Sequence, residues 1–405
     1  MSVREEAAAD ALDALPPGVD AELFLREEQT WNAELEPATG ATASREGLRL
    51  RGAARVWQEG RVGEAFAPHL DAAALLASAA PRAPGAPPPV PLARESGSDA
   101  VEPSREALLG AAERLRSGLL ARGLTVQALL VQDPRITDWR VRRGAPAIRQ
   151  RFAAPQLLAR IETPRGAMLE SCEPDGVETL LLRVDQACSA VAGQGRAVDR
   201  RLPLVFRPAV AVPLVAALAT LLRGDVAGAT PALARALGKR LFPACLTLVD
   251  APPAARLDDE GVVAAPVTLI SRGQLAAFLH SSATAAAMGL APNGRGLRTG
   301  EALQLGPGAL GLRIQPASGG LPERCTELTT RLETFTSLSR AGSVSLIVAG
   351  WERRGDARLY PVEPFELELP VLPTLRRLAG VGEDLTFFPA AEGCGTPTLV
   401  FDSLT

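Results

Sequence analysis

Apolar and polar positions alternate through residues 20–67. "AELFLREEQTWNAEL" reads as one strand, and "GLRLRGAARVWQEGRVGEAFA" continues the alternation with glycines at turn positions. The period changes at "HLDAAALLASAA", an Ala/Leu run that predicts a helix. A Pro-, Gly- and Ser-rich stretch, residues 81–103, then predicts a linker or exposed loop of polyproline character. Ser104 is an N-cap, with Leu108, Ala111, Leu115 and Leu119 on one helical stripe and Gly123 as the stop. Residues 126–163 are strand-like. "GVETLLLRVDQACSAV" places Leu180, Leu181, Val184, Ala187, Cys188 and Val191 at helical spacing, which makes Cys188 a core residue.

The second half opens with "LPLVFRPAVAVPLVAALATLLRGD", a strand running into an apolar helix. A further helix is predicted over "ATPALARALGKRL", with Thr230 as N-cap, Pro231 at the first helical position and Gly238 as the stop. From residue 242 onward short strands alternate with Gly and Pro turns, and "SVSLIVAGWERRGDARLYPVEPFELELPV" carries a hairpin pattern. The fold class is α+β. Residues 1–80 and 104–200 form an N-terminal α/β domain with an antiparallel sheet and flanking helices. Residues 201–405 form a β-rich C-terminal domain with early helices.

The length, 405 residues, supports two domains, and 47% hydrophobic with 22% charged residues is ordinary for a globular protein. A net charge of -3 and no basic run argue against a nucleic-acid partner. The acidic, Ala-rich N-terminus lacks a signal-peptide pattern, and no apolar run is long enough to span a bilayer. The expectation is a cytoplasmic protein with no membrane partner. Five dispersed cysteines without a CxxC pair read as buried free thiols.

Candidate chemistry centres on "ARLDDEGVVAAPVTLISRGQLAAFLHSSATAAAMG", where Asp258, Asp259 and Glu260 precede Gly261, and His280 and Thr284 follow. A zinc site needs three converging N, S or O ligands. No HExxH is present, and the two histidines, His69 and His280, are far apart in the chain. Neighbouring strand side chains point to opposite faces, so the triplet reads better as a turn whose acids satisfy backbone N–H groups, with Gly261 supplying a conformation that other residues avoid. His280 reads as a half-buried polar histidine at a strand end. "GRGLRTGE" has neither a dinucleotide fingerprint nor a Walker lysine and reads as a flexible Gly-rich loop.

These stretches resemble the TldD/PmbA family. The match rests on "DDEG", "TLISRGQLAAFLH" and "ATAAAMG" in order, with "GRVGEAFA", "VGEDLTF" and "GTPTLVFDSLT" in support. The resemblance implies an N-terminal α/β part, a C-terminal β-barrel-like part and a bacterial cytosolic complex of two related subunits. The TldD-type subunit carries zinc on an HExxxH helix with a later cysteine and cleaves unfolded or modified peptides. The PmbA type, also called TldE, lacks the motif. Where the family's zinc helix reads roughly L-H-E-x-x-x-H-x-L-E-G-D, this chain reads "LVAALATLLRGD": Val215, Ala216 and Thr220 fill the ligand and general-base slots. Cys394 lies too near the terminal strand for the late ligand.

The resemblance therefore implies a non-catalytic PmbA/TldE-like subunit with no cofactor of its own. Its partner is a TldD-type zinc peptidase subunit, and its ligand is an extended peptide. Asp258, Asp259, Glu260, Gly261, His280 and Thr284 are candidates for a chamber wall or an interface. Two alternatives stay open: a stand-alone hydrolase using Asp258, Asp259, Glu260 and His280, or a homodimeric peptide-binding module.

Overall fold

The computed structural model describes residues 3–68, 71–81, 83–84, 102–145, 147–252, 256–332, 342–389 and 393–403. His69 and most of the Pro-rich stretch lie outside the described residues. The chain opens with helix α1 (Val3–Asp13), strands β1 (Asp20–Leu35), β2 (Thr42–Gln58) and β3 (Arg61–Ala67), helix α2 (Ala72–Ser78) and the short β4 (Ala83–Pro84). Helix α3 (Arg105–Ala121), strands β5 (Thr125–Arg142), β6 (Ile148–Ala153), β7 (Gln156–Thr163) and β8 (Gly166–Cys172), and helix α4 (Val177–Val191) follow. All eight strands join one curled antiparallel sheet, ordered β4-β3-β2-β1-β5-β7-β8, with β6 on β5.

Local chemistry sets the helix ends. Ser104 caps α3 by accepting from Ala107 N (3.1 Å), and Asp71 caps α2 by accepting from Ala74 N (2.9 Å). The predicted stripe of α3 is buried with that of α4 against β5, β7 and β8, forming one core. Helices α1 and α2 cover the other end of the same sheet face with Leu12, Leu75 and Leu76. Cys188 departs from expectation: it lies on the flank of the α4 stripe, half-buried and packed against the core rather than inside it.

The second half contains β9 (Leu204–Phe206), helices α5 (Pro208–Leu221), α6 (Gly224–Ala229) and α7 (Pro231–Ala234), and strands β10 (Leu248–Asp250), β11 (Val267–Ser271) and β12 (Gln274–Leu275). Next come α8 (Ser282–Ala287), β13 (Gly296–Thr299), β14 (Gln304–Pro307), β15 (Leu312–Ile314), β16 (Arg324–Leu332), β17 (Ser343–Arg354) and β18 (Ala357–Pro370). The chain closes with α9 (Val371–Arg376), β19 (Leu378–Val381), β20 (Thr386–Phe388), β21 (Cys394–Thr396) and β22 (Leu399–Phe401). Two six-stranded sheets form, β18-β17-β16-β9-β22-β19 and β12-β11-β10-β15-β21-β20, beside a β13-β14 ribbon.

Helix α5 is apolar on every side, and a helix of that kind must be enclosed. It sits in the largest core of the protein, touching strands of both six-stranded sheets. Pro213 lies inside α5 and does not end it. A proline there removes one backbone bond, about 3 kcal/mol, which the enclosing core offsets. The helix predicted from Thr230 to Gly238 is only the single turn of α7. Past that turn the backbone is taken up by β12: Gly238 N donates to Leu275 O (2.8 Å) and Leu275 N to Lys239 O (2.9 Å).

In β1 the expected alternation fails over residues 21–25, all of which are buried. One face packs under α1 and α2. The other carries Glu22, Phe24 and Arg26 and is covered by the second half of the chain, where Leu303 packs on Phe24 and Ala53.

Candidate functional site

Both regions singled out in the sequence lie in the second half. On α5, Val215 is 0% exposed and belongs to the apolar core. Ala216 and Thr220 are partly buried, and the Thr220 hydroxyl lies 3.4 Å from the Ala216 carbonyl, where it donates back into its own helix. Cys394 is buried in the same core. Among the described residues, no three His, Cys, Asp or Glu side chains approach closely enough to hold a metal ion. Valine and alanine offer neither a lone pair nor a proton.

The acidic triplet forms a tight turn closed by Gly261 N donating to Asp258 O (3.1 Å), with Gly261 at φ +83°. Its three carboxylates diverge. Asp258 Oδ1 accepts from Glu260 N (3.0 Å) and Val262 N (2.9 Å), and Oδ2 accepts from Gly296 N (2.8 Å). Asp259 reaches the first sheet: Oδ1 accepts from Arg140 (3.1 Å), while Oδ2 meets Arg26 (3.4 Å) and Arg298 N (2.7 Å). Glu260 accepts from Arg55 at Oε1 (2.7 Å) and from Ser282 N, at the start of α8, at Oε2 (2.6 Å).

All three acids are buried. Burial, with Glu260 alongside, pushes Asp258 up to about 7 against the pull of the Val262 and Gly296 N–H groups. Burial would raise Asp259 too, but the Arg26 and Arg140 guanidiniums overcome it and hold that carboxyl below its ordinary range. On the sheet, Arg26 also forks onto Asp138 with two 2.8 Å bonds, and Arg55 pairs with Glu22 at 2.6 Å. The result is a buried ionic seam between the first sheet and the second half. Its basic members, Arg26, Arg55, Arg140 and Arg298, were not singled out from sequence. The available signal was charged residues at inward i, i+2 positions of β1 and β2.

The "GRGLRTGE" stretch is an ordered part of this seam, contrary to its reading as a flexible loop. Arg295 is fully enclosed against Asp250 and donates to Ala265 O (2.8 Å). A side chain at Gly296 would collide with the Glu260 carboxylate, which explains the small residue there.

His280 is buried, at 2% exposure, rather than half-buried as expected. Gly224, the first residue of α6, lies directly against its ring, and Phe278 packs edge-on. Its Nδ1 is 3.3 Å from the Thr284 hydroxyl, whose own proton can go to Ser281 O (3.2 Å). Burial lowers the His280 pKa and keeps the ring neutral. The fold thus brings Asp258–Gly261 and His280–Thr284 together through the Glu260–Ser282 bond, but no described carboxylate bonds the imidazole. Val215, Ala216 and Thr220 stay apart from that turn, on α5. Among the described residues no Ser–His–acid relay is assembled around His280.

A family model described as the PmbA/TldA metallopeptidase C-terminal domain matches residues 199–405, just over half of the chain. The chain belongs to the TldD/PmbA family. No curated protein sequence matches it. Its fold is similar to that of a candidate modulator of a DNA gyrase from Thermotoga maritima, at 17% identity and TM-score 0.82, covering 98% of both chains. A candidate modulator of DNA gyrase from Bacteroides thetaiotaomicron aligns at 15% identity and TM-score 0.74, over 98% of this chain and 97% of that one. TldE from Thermococcus kodakarensis aligns at 18% identity and TM-score 0.73, also over 98% and 97%. At these identities the likeness is one of fold. No helix among the described residues of this family member is long and apolar enough to cross a membrane.

Proposed function

We propose that this chain is a non-catalytic, PmbA/TldE-like subunit of a TldD-type zinc metallopeptidase heterodimer, working in the bacterial cytoplasm. It encloses the chamber over its partner's zinc and helps to hold an unfolded or modified peptide as an added strand. The observation that carries this reading is the composition of α5. The slots where the family resemblance places zinc ligands and a general base hold Val215, Ala216 and Thr220, and Val215 is sealed in core. The fold likeness to TldE of Thermococcus kodakarensis supports the same reading. The acid turn then serves as an ionic clasp within the chain. Every carboxylate a stand-alone hydrolase would use is already engaged by a guanidinium or a backbone N–H.

The test is size-exclusion chromatography with metal analysis on this chain alone and co-expressed with a TldD-type subunit from the same genome. A stable pair containing about one zinc, with a metal-free isolated chain, is expected. Chelator-sensitive peptide cleavage by the isolated chain would overturn the proposal.

A further inference from the structure

A cavity of about 690 Å³ opens beside the first sheet and shares no lining residue with the ionic seam. A change of strand partner makes room for it. Strand β5 pairs with β7 up to Gln132 and with β6 from Arg135, so Pro134 stands at the changeover. Proline has no N–H to give to the ladder. Its carbonyl accepts from Ala154 N at 3.3 Å, in the link between β6 and β7. The gap in the sheet is walled by Pro134, Ala153 and Pro155, with Pro174 from the β8–α4 turn and Pro389 from the second half closing it. Small-ligand sites are cavities of about 300–1,000 Å³ with mostly apolar walls and a few polar groups.

The charged residues that line this cavity are all of one sign. Glu173 and Asp175 stand on either side of Pro174, in a turn closed by Gly176 N donating to Glu173 O (2.9 Å). Both residues are exposed, so a ligand can reach their carboxylates, and neither side chain makes a hydrogen bond or ion pair among the described residues. No arginine, lysine or histidine is among the lining residues. Two arginines border the cavity, and both are already engaged. Arg135, which donates to Pro103 O, is shared by Glu102 and Asp133. Arg183, over the Phe388 ring, is paired with Glu170. The carboxylates of Glu173 and Asp175 therefore stay uncompensated beside an apolar floor.

We propose that this cavity receives the N-terminus of a peptide whose first residues are apolar. The α-ammonium is held by Glu173 and Asp175, and the first side chains lie against the proline and alanine walls. One residue supplies both features, because its ammonium and its apolar side chain branch from the same Cα. A lysine would bring its charge on a single thin stem and leave most of the cavity unfilled. The ligand class rests on the peptide-binding reading above, but the site is tested on this chain by itself, so its failure leaves the heterodimer untouched.

The experiment is isothermal titration calorimetry of the full chain at low salt and about pH 6.5, where carboxylates are ionised and an α-amine is protonated. The peptides are Leu-Leu-Gly-amide, its N-acetylated form, Gly-Gly-Gly-amide and acetyl-Gly-Lys-Gly-amide. Leu-Leu-Gly-amide is expected to bind about tenfold or more tightly than each of the others, and to weaken as pH rises through about 8, where its amine loses the proton. Glu173→Gln combined with Asp175→Asn should weaken it by about tenfold or more, the worth of a charge-assisted hydrogen bond. Both positions are exposed, so this variant should keep the far-UV circular dichroism of the parent. Ala154→Trp, at an exposed position on the cavity wall, should fill the space and abolish binding. Equal binding of any of the other three peptides, unchanged affinity in either variant, or no heat with any peptide at millimolar concentration would overturn the proposal.

Discussion

Replacing Arg55 by methionine tests the ionic seam most directly. The substitution keeps an unbranched apolar stem over Trp57, whose ring lies 5.0 Å from the guanidinium, and removes only the cation. Arg55 joins Glu22 of the first sheet to Glu260 of the acid turn at 2.6 and 2.7 Å, and these side chains are 5%, 9% and 0% exposed. Without it, among the described residues Glu22 keeps only Arg298 at 3.5 Å, and Glu260 keeps the Ser282 N–H at 2.6 Å. At about 4 Å and an effective dielectric of about 20, one such pair is worth about 4 kcal/mol before desolvation. Removing one partner of a buried pair costs about 3–5 kcal/mol, because the remaining charge stays buried. That is a large fraction of the roughly 5–15 kcal/mol by which domains are stable. Glu260→Gln in the same background removes one stranded charge, so the double variant should be more stable than the sum of the single losses predicts. Urea unfolding followed by tryptophan fluorescence and far-UV circular dichroism measures all four corners of the cycle. A loss below about 1 kcal/mol in Arg55→Met, or single effects that add within about 0.5 kcal/mol, would refute the clasp.

Three further outcomes are expected. Gly224→Ala places a methyl group 2.5 Å from His280 Nδ1 and 2.9 Å from the Thr284 hydroxyl, so overpacking should destabilise the chain by about 1–3 kcal/mol in urea melts; a change under about 0.5 kcal/mol would count against the packed histidine. Placing histidines on α5 as Val215→His with Thr220→His should lower stability by about 1–3 kcal/mol for the unpaired imidazole buried at position 215 and bind no stoichiometric zinc by metal analysis; zinc uptake with retained stability would show that α5 is not a sealed core helix. His280 is held neutral by burial while the unfolded chain protonates near pH 6.5, so its contribution is intact above about pH 6.5 and is lost as pH falls from there toward its lower folded value. His280→Gln should flatten the stability profile in that window, and an identical slope would exclude the residue as its source.

Local pattern was enough for much of the fold. The strands β1 to β3, though not the burial of both faces at residues 21–25 and 51–57, the stripe and cap of α3, the period of α4 and the β17–β18 hairpin are set by neighbours in sequence, because strand and helix periods decide which side chains share a face. The apolar run of α5 was likewise legible. The acid turn was readable as a turn, since Asp258 caps backbone only two and four residues away. The partners of Asp259 and Glu260 were not. Their guanidinium partners lie 119 to 233 positions away in β1, β2 and β5, and a charged strand residue looks the same in sequence whether it faces water or another layer. Only the docking of the second half onto the first sheet covered Glu22, Arg26 and Arg55, and packing within the second half enclosed Arg295 and His280. Contacts within the second half also shortened the helix predicted after Thr230, because its carbonyls and N–H groups found strand partners in β12. Sequence determined the elements, through short-range periodicity and side-chain identity. Tertiary structure alone decided which charges are paired, because pairing depends on distances that chain separation does not encode.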